Sequence, residues 1–382
     1  MLRILHLAHD HVSVKRLGKQ LQQRQGEDHQ WVFVGKGDQP HARDGWTLGP
    51  KENLPDEVIN AQWDAIVVHR MRYPTPGWLL SMPEGPVVVW ATWGDDYYRV
   101  FPALSKGIYL PATRLLMGLI GKYSVSLLGV LQRMRNVVFP RKWRVTPRDL
   151  ELAAMGRVDG IANMFKSGFI AIPYLPKKPE YLYSSWYNAV PERIPEIEAS
   201  RDMNGPILCG SSATTSGNQL DFLWSRRRLI RSSGRRVRLV LAYGSGRYAK
   251  ALSFVGRALL GGLLEVQRKR VSLDEYYQYL SECPVVVHNQ IRIQNTGNLV
   301  LSFLMGQRVL MRRDSHLFKL YDSMGFVVGD ASAETLDLSP LGDEDRRHNR
   351  ELVLRSFGDD AVNERFDAFV ADLLEVVDRK GG

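Results

Sequence analysis

The sequence predicts an α/β fold in two halves, and three observations carry that prediction. Short apolar runs rich in β-branched residues alternate with segments of helical character through the first half. The rhythm stops at a stretch rich in proline and tyrosine, 173–204, and then restarts. Alternating strands and helices favour mainly parallel sheets with crossover connections, and short unbroken apolar runs suit strands buried on both faces.

In chain order, the first-half strands are expected at Leu2–Leu7, Trp31–Val34, Ala65–His69, Val87–Trp90 and Val158–Ala162, with a helix over Ser13–Gln23. Residues 1–172 form the first domain, and 173–204, with five prolines and no clean period, read as an interdomain crossing. The second domain, 205–344, holds strands at Pro206–Cys209, Arg238–Ala242, Leu263–Val266, Pro284–His288 and Arg308–Met311. Helices lie between them at Asn218–Ser232, Leu273–Glu282 and Leu299–Met305, and 345–382 reads as amphipathic helices. Two such halves leave a central cleft, with ligands at the C-terminal ends of the strands.

Composition narrows the function. Cys209 and Cys283 are the only cysteines, which excludes a disulfide framework or a cysteine zinc site. Arg3 and the polar run His6, His9, Asp10, His11 interrupt any signal-peptide core, and no long apolar window predicts a transmembrane helix. The formal net charge is +10, unevenly placed: 97–148 carries ten Lys or Arg and no acid, and 222–264 is also acid-free. Such asymmetry points to an anionic partner.

Six motifs carry chemistry. The loop Cys209-Gly210-Ser211-Ser212-Ala213-Thr214-Thr215-Ser216-Gly217-Asn218 joins a strand to a helix, and its small residues suit a diphosphate cradle at a helix start. It is neither a Walker loop nor a dinucleotide fingerprint, and the plainer reading is a βα connection capped by Ser216 or Asn218. The run Asn289–Asn298 crowds five amides and Arg292 into ten residues. Amides read hydroxyls and arginine holds phosphate, so Arg292, Gln294 and Asn295 are candidates for a sugar-nucleotide pocket; the alternative is a helix start capped at Thr296 or Asn298. Trp90–Tyr98 sets Asp95 and Asp96 among tryptophans: the aspartates could act as a base or bind a metal, though a lone pair is a weak metal signal, and the tryptophans suit sugar stacking; the alternative is a helix cap at Asp95 or Asp96 with Trp90 and Trp93 in the core. His9-Asp10-His11 and His69 sit at strand ends, where a carboxylate beside an imidazole suits a general base and the alternative is a structural histidine. Over 108–148, Leu116, Leu119, Ile120, Tyr123, Leu127, Leu131 and Met134 recur at helical spacing beside Lys122, Arg133, Arg135, Arg141, Lys142, Trp143 and Arg144. A basic amphipathic element of this kind fits a membrane surface, against a core-facing helix with a solvated side. Arg226–Arg238 carries seven arginines; a nucleic-acid reading finds few aromatics and no recognised motif, and a solvated helix face stands against a second membrane-facing or phosphate-attracting surface.

These pieces resemble the bacterial TDP-Fuc4NAc:lipid II Fuc4NAc transferases of enterobacterial common antigen synthesis. Asp10 after the first strand, His69 with Pro74, and Trp93-Gly94-Asp95-Asp96-Tyr97-Tyr98 are similar to that family's first half, with Asp96 at the matching position. In the second half, Gly210, Ser212, Asn218 and Gly244 match, and Arg292-Ile293-Gln294-Asn295-Thr296-Gly297-Asn298 is similar to the family's Arg-Gln-Gln-Gly-x-Gly-Thr, with Gly306 and Arg313 beyond it. The loop at 210–218 is one residue longer, and Ile293, Asn295 and Asn298 depart from the pattern.

The resemblance implies a GT-B architecture of two Rossmann-like domains, the first facing acceptor and membrane, the second holding the nucleotide. It implies transfer of a Fuc4NAc-like sugar from a TDP- or UDP-linked donor to a polyprenyl-diphosphate-linked saccharide, at the cytoplasmic face of the inner membrane. The donor is a substrate, and no cofactor, tightly bound metal or nucleic acid is expected. The Gly210, Ser211 and Ser212 amides, Arg292 and Arg313 would stabilise the leaving diphosphate. Asp10, then Asp96, would serve as base, with His69 assisting. The alternative function is a non-catalytic membrane- or nucleic-acid-binding protein on the same scaffold.

Overall fold

A computed structural model describes residues 1–9, 12–21, 24–35, 45–92, 98, 101, 107–121, 146–163, 175, 178–183, 190 and 197–381. The strands are β1 (Leu2–His9), β2 (Glu27–Val34), β3 (Gly45–Leu48), β4 (Ala65–His69), β5 (Val87–Ala91), β6 (Gly160–Asn163), β7 (Glu180–Tyr183), β8 (Ile207–Cys209), β9 (Val237–Val240), β10 (Leu264–Gln267), β11 (Val285–His288), β12 (Arg308–Met311) and β13 (Gly329–Asp330). The helices are α1 (Val12–Leu21), α2 (Asp56–Ile59), α3 (Thr75–Ser81), α4 (Pro111–Leu119), α5 (Pro147–Met155), α6 (Gln219–Ser233), α7 (Gly246–Leu260), α8 (Leu273–Ser281), α9 (Thr296–Leu304), α10 (His316–Ser323), α11 (Asp343–Phe357) and α12 (Asp359–Gly381). The chain divides into two compact units, one of Met1–Leu104, Trp143–Ala189 and Asp359–Gly382, the other of Ser105–Lys142 and Val190–Gly358.

The first unit holds a parallel sheet in the order β3-β2-β1-β4-β5-β6-β7. Its central strands are apolar at successive positions because both faces are covered. Ile4, Val67 and Val89 pack under α1 and α12, while Leu5, Leu7, Val68 and Trp90 pack under α3 and α5. Helix α12 is integral to this core. Val362, Phe366, Phe369, Val370, Leu373 and Val376 are buried in it, a contribution on the order of 10 kcal/mol before entropy. Its far end is tied down where Lys380 meets Asp159 at 2.7 Å and Arg379 meets Glu180 at 2.6 Å.

The second unit holds a parallel sheet in the order β10-β9-β8-β11-β12-β13. Helices α4, α6 and α7 cover one face, and α8 and α9 the other. Helices α10 and α11 close the unit through rings of Phe303, Tyr321, Phe326 and Phe357.

Three parts of the chain fall elsewhere than the sequence suggests. Residues 180–183 lie within the stretch read as a crossing, yet form β7 at the edge of the first sheet. The segment 345–382 is split, with α11 in the second unit and α12 in the first. Helix α4 belongs to the second unit, because the Asp221 carboxylate on α6 accepts from Ala112 N at 2.8 Å, Thr113 N at 3.0 Å and Thr113 Oγ1 at 2.5 Å. The helical stripe read across this helix is also divided: Leu116 enters the core while Leu119 is exposed.

Candidate functional site

In the second sheet the strand order turns back between β8 and β11, the chain running outward to β9 and β10 on one side and to β12 and β13 on the other. At such a switch point the loops following the two central strands diverge and leave room for a ligand. Those loops are 210–218 and 289–295, the two that the sequence singles out.

The first loop is a tight, polar turn. Gly210 has φ +74°, and its amide is donated to Val287 O at 3.1 Å, which fixes the loop to the neighbouring strand. Ser212 Oγ and Thr214 Oγ1 lie 3.0 Å apart, and Gln219 Nε2 donates to Ser212 O at 2.7 Å. Gly244, at φ +108°, lets the chain after β9 approach; a Cβ there would lie 2.6 Å from Ala213 O. Asn218 has left-handed backbone, φ +51°, and is fully buried. It does not cap α6 with its side chain. Its Oδ1 accepts from Leu110 N at 3.0 Å and its Nδ2 donates to Ile108 O at 2.9 Å. Asn218 therefore holds the 107–121 segment in place.

The second loop converges on the first. Asn289 Nδ2 donates to Asn218 O at 2.8 Å. Arg292 Nε donates to Ser216 Oγ at 2.8 Å, and the same hydroxyl donates to Gln294 Oε1 at 2.7 Å. Ser216 is thus a junction between the loops rather than a helix cap. Asn295, φ +61°, precedes α9 and makes no side-chain cap. Thr296 and Gly297 open that helix, and Asn298 is engaged by Tyr276 Oη at 3.0 Å.

Three buried polar atoms here take no partner among the described residues: Ser211 Oγ, His288 Nε2 and Gln294 Nε2. Each such atom costs about 1–3 kcal/mol when left unsatisfied. Burial holds His288 near pKa 4, so it is a neutral ring at neutral pH. Arg313 follows β12 at the same end of the sheet, exposed, 3.4 Å from Asp330 and over the Phe318 ring. Sequence alone marks His288 only as the end of a strand and Ser216 only as a helix cap. The hydroxyl's distance in sequence from Arg292 hid their pairing.

The first unit has its own switch point, between β1 and β4. His69 ends β4 but is buried, its Nε2 2.8 Å from His6 Nδ1, and His6 Nε2 is 3.0 Å from His29 Nδ1. His6 stacks on Trp31, ring centroids 4.0 Å apart. Burial lowers His69 to about 3 and His29 to about 4, and pushes His6 down as well. His69 at rest is a neutral member of a buried histidine chain. Asp10 and Asp96 lie outside the described residues, as do Lys122, Arg133, Arg135, Arg141, Lys142, Trp143 and Arg144. Among the described residues no cluster of three His, Cys, Asp or Glu is placed to hold a metal, and no helix is long and apolar enough to cross a membrane.

No protein-family model and no curated protein matches the chain. Solved structures do. Sucrose-phosphate synthase from Thermosynechococcus elongatus aligns over 98% of this chain and 100% of its own, with TM-score 0.57 and 11% identity. Anabaena HepE in complex with UDP aligns over 97% and 100%, with TM-score 0.58 and 11% identity. A UDP-forming α,α-trehalose-phosphate synthase from Burkholderia xenovorans aligns over 98% and 99%, with TM-score 0.59 and 10% identity. Likeness at this identity is a likeness of fold, and the fold of this chain is that of the GT-B class, with two Rossmann-like units each built on a parallel sheet.

Proposed function

We propose that the protein is a glycosyltransferase that takes its sugar from a nucleoside diphosphate donor. The observation that carries this reading is the junction at Ser216, where Arg292 and Gln294 are held together, between a loop that also carries the unengaged Ser211 Oγ and one that follows His288. It lies at the strand-order reversal of a sheet whose fold neighbours include a protein bound to UDP. Arg292 supplies charge to a diphosphate, and the loop amides from Gly210 to Ser212 and the first turn of α9 add fixed dipoles. Gln294 and His288 offer neutral hydrogen bonds to hydroxyls or a nucleobase.

In the reaction the bond from the anomeric carbon to the diphosphate oxygen breaks and one to an acceptor hydroxyl oxygen forms. The leaving diphosphate takes the electron pair, and Arg292 and the amides stabilise its growing charge. The acceptor's proton goes to a carboxylate, Asp10 in our assignment, with Asp96 second. The resemblance to the Fuc4NAc transferases supports a deoxy-amino sugar and a polyprenyl-diphosphate-linked acceptor. It also supports a peripheral place at the cytoplasmic face of the inner membrane.

The test is thermal stabilisation by a panel of UDP, TDP and their sugar conjugates, followed by turnover with the tightest donor. Stabilisation by at least one diphosphate, lost in Arg292→Ala, is expected. A panel without effect on the wild-type protein sinks the reading.

A further inference from the structure

We propose that α4, α6 and α7 together form a docking surface for an anionic phospholipid bilayer. The three helices form one layer. Leu116 of α4, Leu223 of α6 and Leu252 of α7 all pack into the same core against Val237 and Leu239 of the sheet. Their opposite sides are the outside of that layer.

That outside combines two features that folding does not require. The first is large apolar side chains in solvent: Leu115 at 67% and Leu119 at 76% exposed on α4, Trp224 at 52% on α6, and Phe254 at 77% on α7. Leu115 and Leu119 are one helical turn apart. Single exposed apolar residues are ordinary. Four on three adjoining helices, those of α6 and α7 set among cations, are a pattern of interaction. The second feature is charge. Arg228 and Arg231 follow Trp224 at one and two turns, and Arg247, Lys250 and Arg257 share the exposed stripe of Phe254. Arg227 lies over the Trp224 ring at 4.9 Å. The single acid on the three helices is Asp221, and its carboxylate is taken up at the start of α4.

Charge complementarity identifies the occupant. Apolar side chains at helical spacing, flanked by Lys and Arg, enter the boundary between headgroups and acyl chains, while the cations meet lipid phosphates. A nucleic acid would use the same cations and stack on Trp224, but it gives Leu115, Leu119 and Phe254 no apolar medium to enter. The basic amphipathic stretch that the sequence marks for a membrane lies in the first half of the chain, with Arg226–Arg238 as a second candidate. Residues 107–121, where that stretch is described, instead add to the unit carrying the 210–218 and 289–295 loops. This inference deepens the peripheral membrane place proposed above and does not depend on the sugar-transfer chemistry.

The experiment is flotation of the whole chain with vesicles of phosphatidylcholine alone and of equimolar phosphatidylcholine and phosphatidylglycerol. The wild-type protein is expected to partition onto the anionic vesicles roughly tenfold more strongly or better. The triple variant Leu115→Ser, Leu119→Ser, Phe254→Ser should lose roughly tenfold of that partition while keeping its thermal midpoint. Phe254→Ser alone serves if the triple variant unfolds, with a smaller loss expected. Arg247→Glu with Lys250→Glu should abolish the preference for anionic lipid. Wild-type partition in the serine variants overturns the proposal. So does a wild-type protein that ignores anionic vesicles, or that binds only an oligonucleotide. Failure of every nucleotide to stabilise the protein would sink the transfer reading and leave the vesicle result standing.

Discussion

Arg292 Nε and Ser216 Oγ meet at 2.8 Å, across 76 residues of sequence. The contact fixes a side chain that otherwise samples many rotamers, at a cost of about 2 kcal/mol to immobilise. Ser216 Oγ in turn donates a hydrogen bond to Gln294 Oε1 at 2.7 Å, so one hydroxyl orients both side chains. Ser216→Ala should therefore weaken nucleoside diphosphate binding roughly tenfold, equivalent to about 1–2 kcal/mol. Ser216→Thr keeps the hydroxyl and should stay nearer the wild-type value. Titration calorimetry with UDP and TDP decides, and equal affinity in wild type and Ser216→Ala would rule the positioning role out. Arg292→Ala should abolish turnover while leaving the fold intact.

The cap on α4 is a separate prediction. Removing the Asp221 carboxylate strips partners from two backbone amides and the Thr113 hydroxyl. Asp221→Ala should cost about 2 kcal/mol of unfolding free energy. It should also open the 107–121 segment to limited proteolysis before the rest of the second unit is cut. A protease pattern identical to wild type would contradict the assignment.

Acid should destabilise the first unit through its histidines. His69 is held to about 3 and His29 to about 4 by burial, against an ordinary value near 6.5. The unfolded chain therefore binds more protons than the native one below about pH 6.5, and stability falls with falling pH until the native values are reached. Above pH 6.5 the effect is absent. Each such histidine contributes up to about 1.4 kcal/mol per pH unit inside the window. Urea midpoints for wild type and His69→Asn between pH 7 and pH 4.5 are the check. The variant should lose stability less steeply, by about one proton's worth of slope. Parallel slopes would show that His69 titrates normally.

Gly244→Ala should destabilise the second unit by about 2 kcal/mol or more, since φ +108° is unfavourable for alanine and the new Cβ would press on Ala213 O. The Ala213–Gly244 bridge anchors the 210–218 loop, so on the proposed reading diphosphate affinity should fall with stability. Thermal denaturation and the same calorimetry measure both. An unchanged midpoint would mean that the loop can retreat at no cost.

Where both faces of a strand are buried, the sequence is easily read. Ala65–Val68, Val87–Trp90 and Val309–Met311 stand out because burial on two sides forces unbroken apolar runs, and Leu2–Leu7 is broken only by Arg3 and the buried His6. Gly45–Leu48 and Glu180–Tyr183 are edge strands, short and partly exposed, and a four-residue run with Glu or Thr in it carries no such mark. The loops at 210–218 and 289–295 were legible from composition, since Arg292 and five amides have no role in a core. Their mutual wiring was not. Asn218 has the residue type of a helix cap, but the Leu110 amide and Ile108 carbonyl claim its side chain. Sequence gives no sign that those groups would be near. Buried His69 likewise looks like a strand-end histidine until its neighbours His6 and Trp31 are seen to enclose it.

The return of α12 to the first sheet sets an order of events during synthesis. Phe366, Phe369 and Leu373 belong to a core whose other members, such as Ile4 and Trp31, leave the ribosome more than three hundred residues earlier. The second unit has its last residue, Gly358, before α12 begins. The half that is translated first is therefore the half that matures last, and until then the apolar sheet face that α12 covers stays open to water.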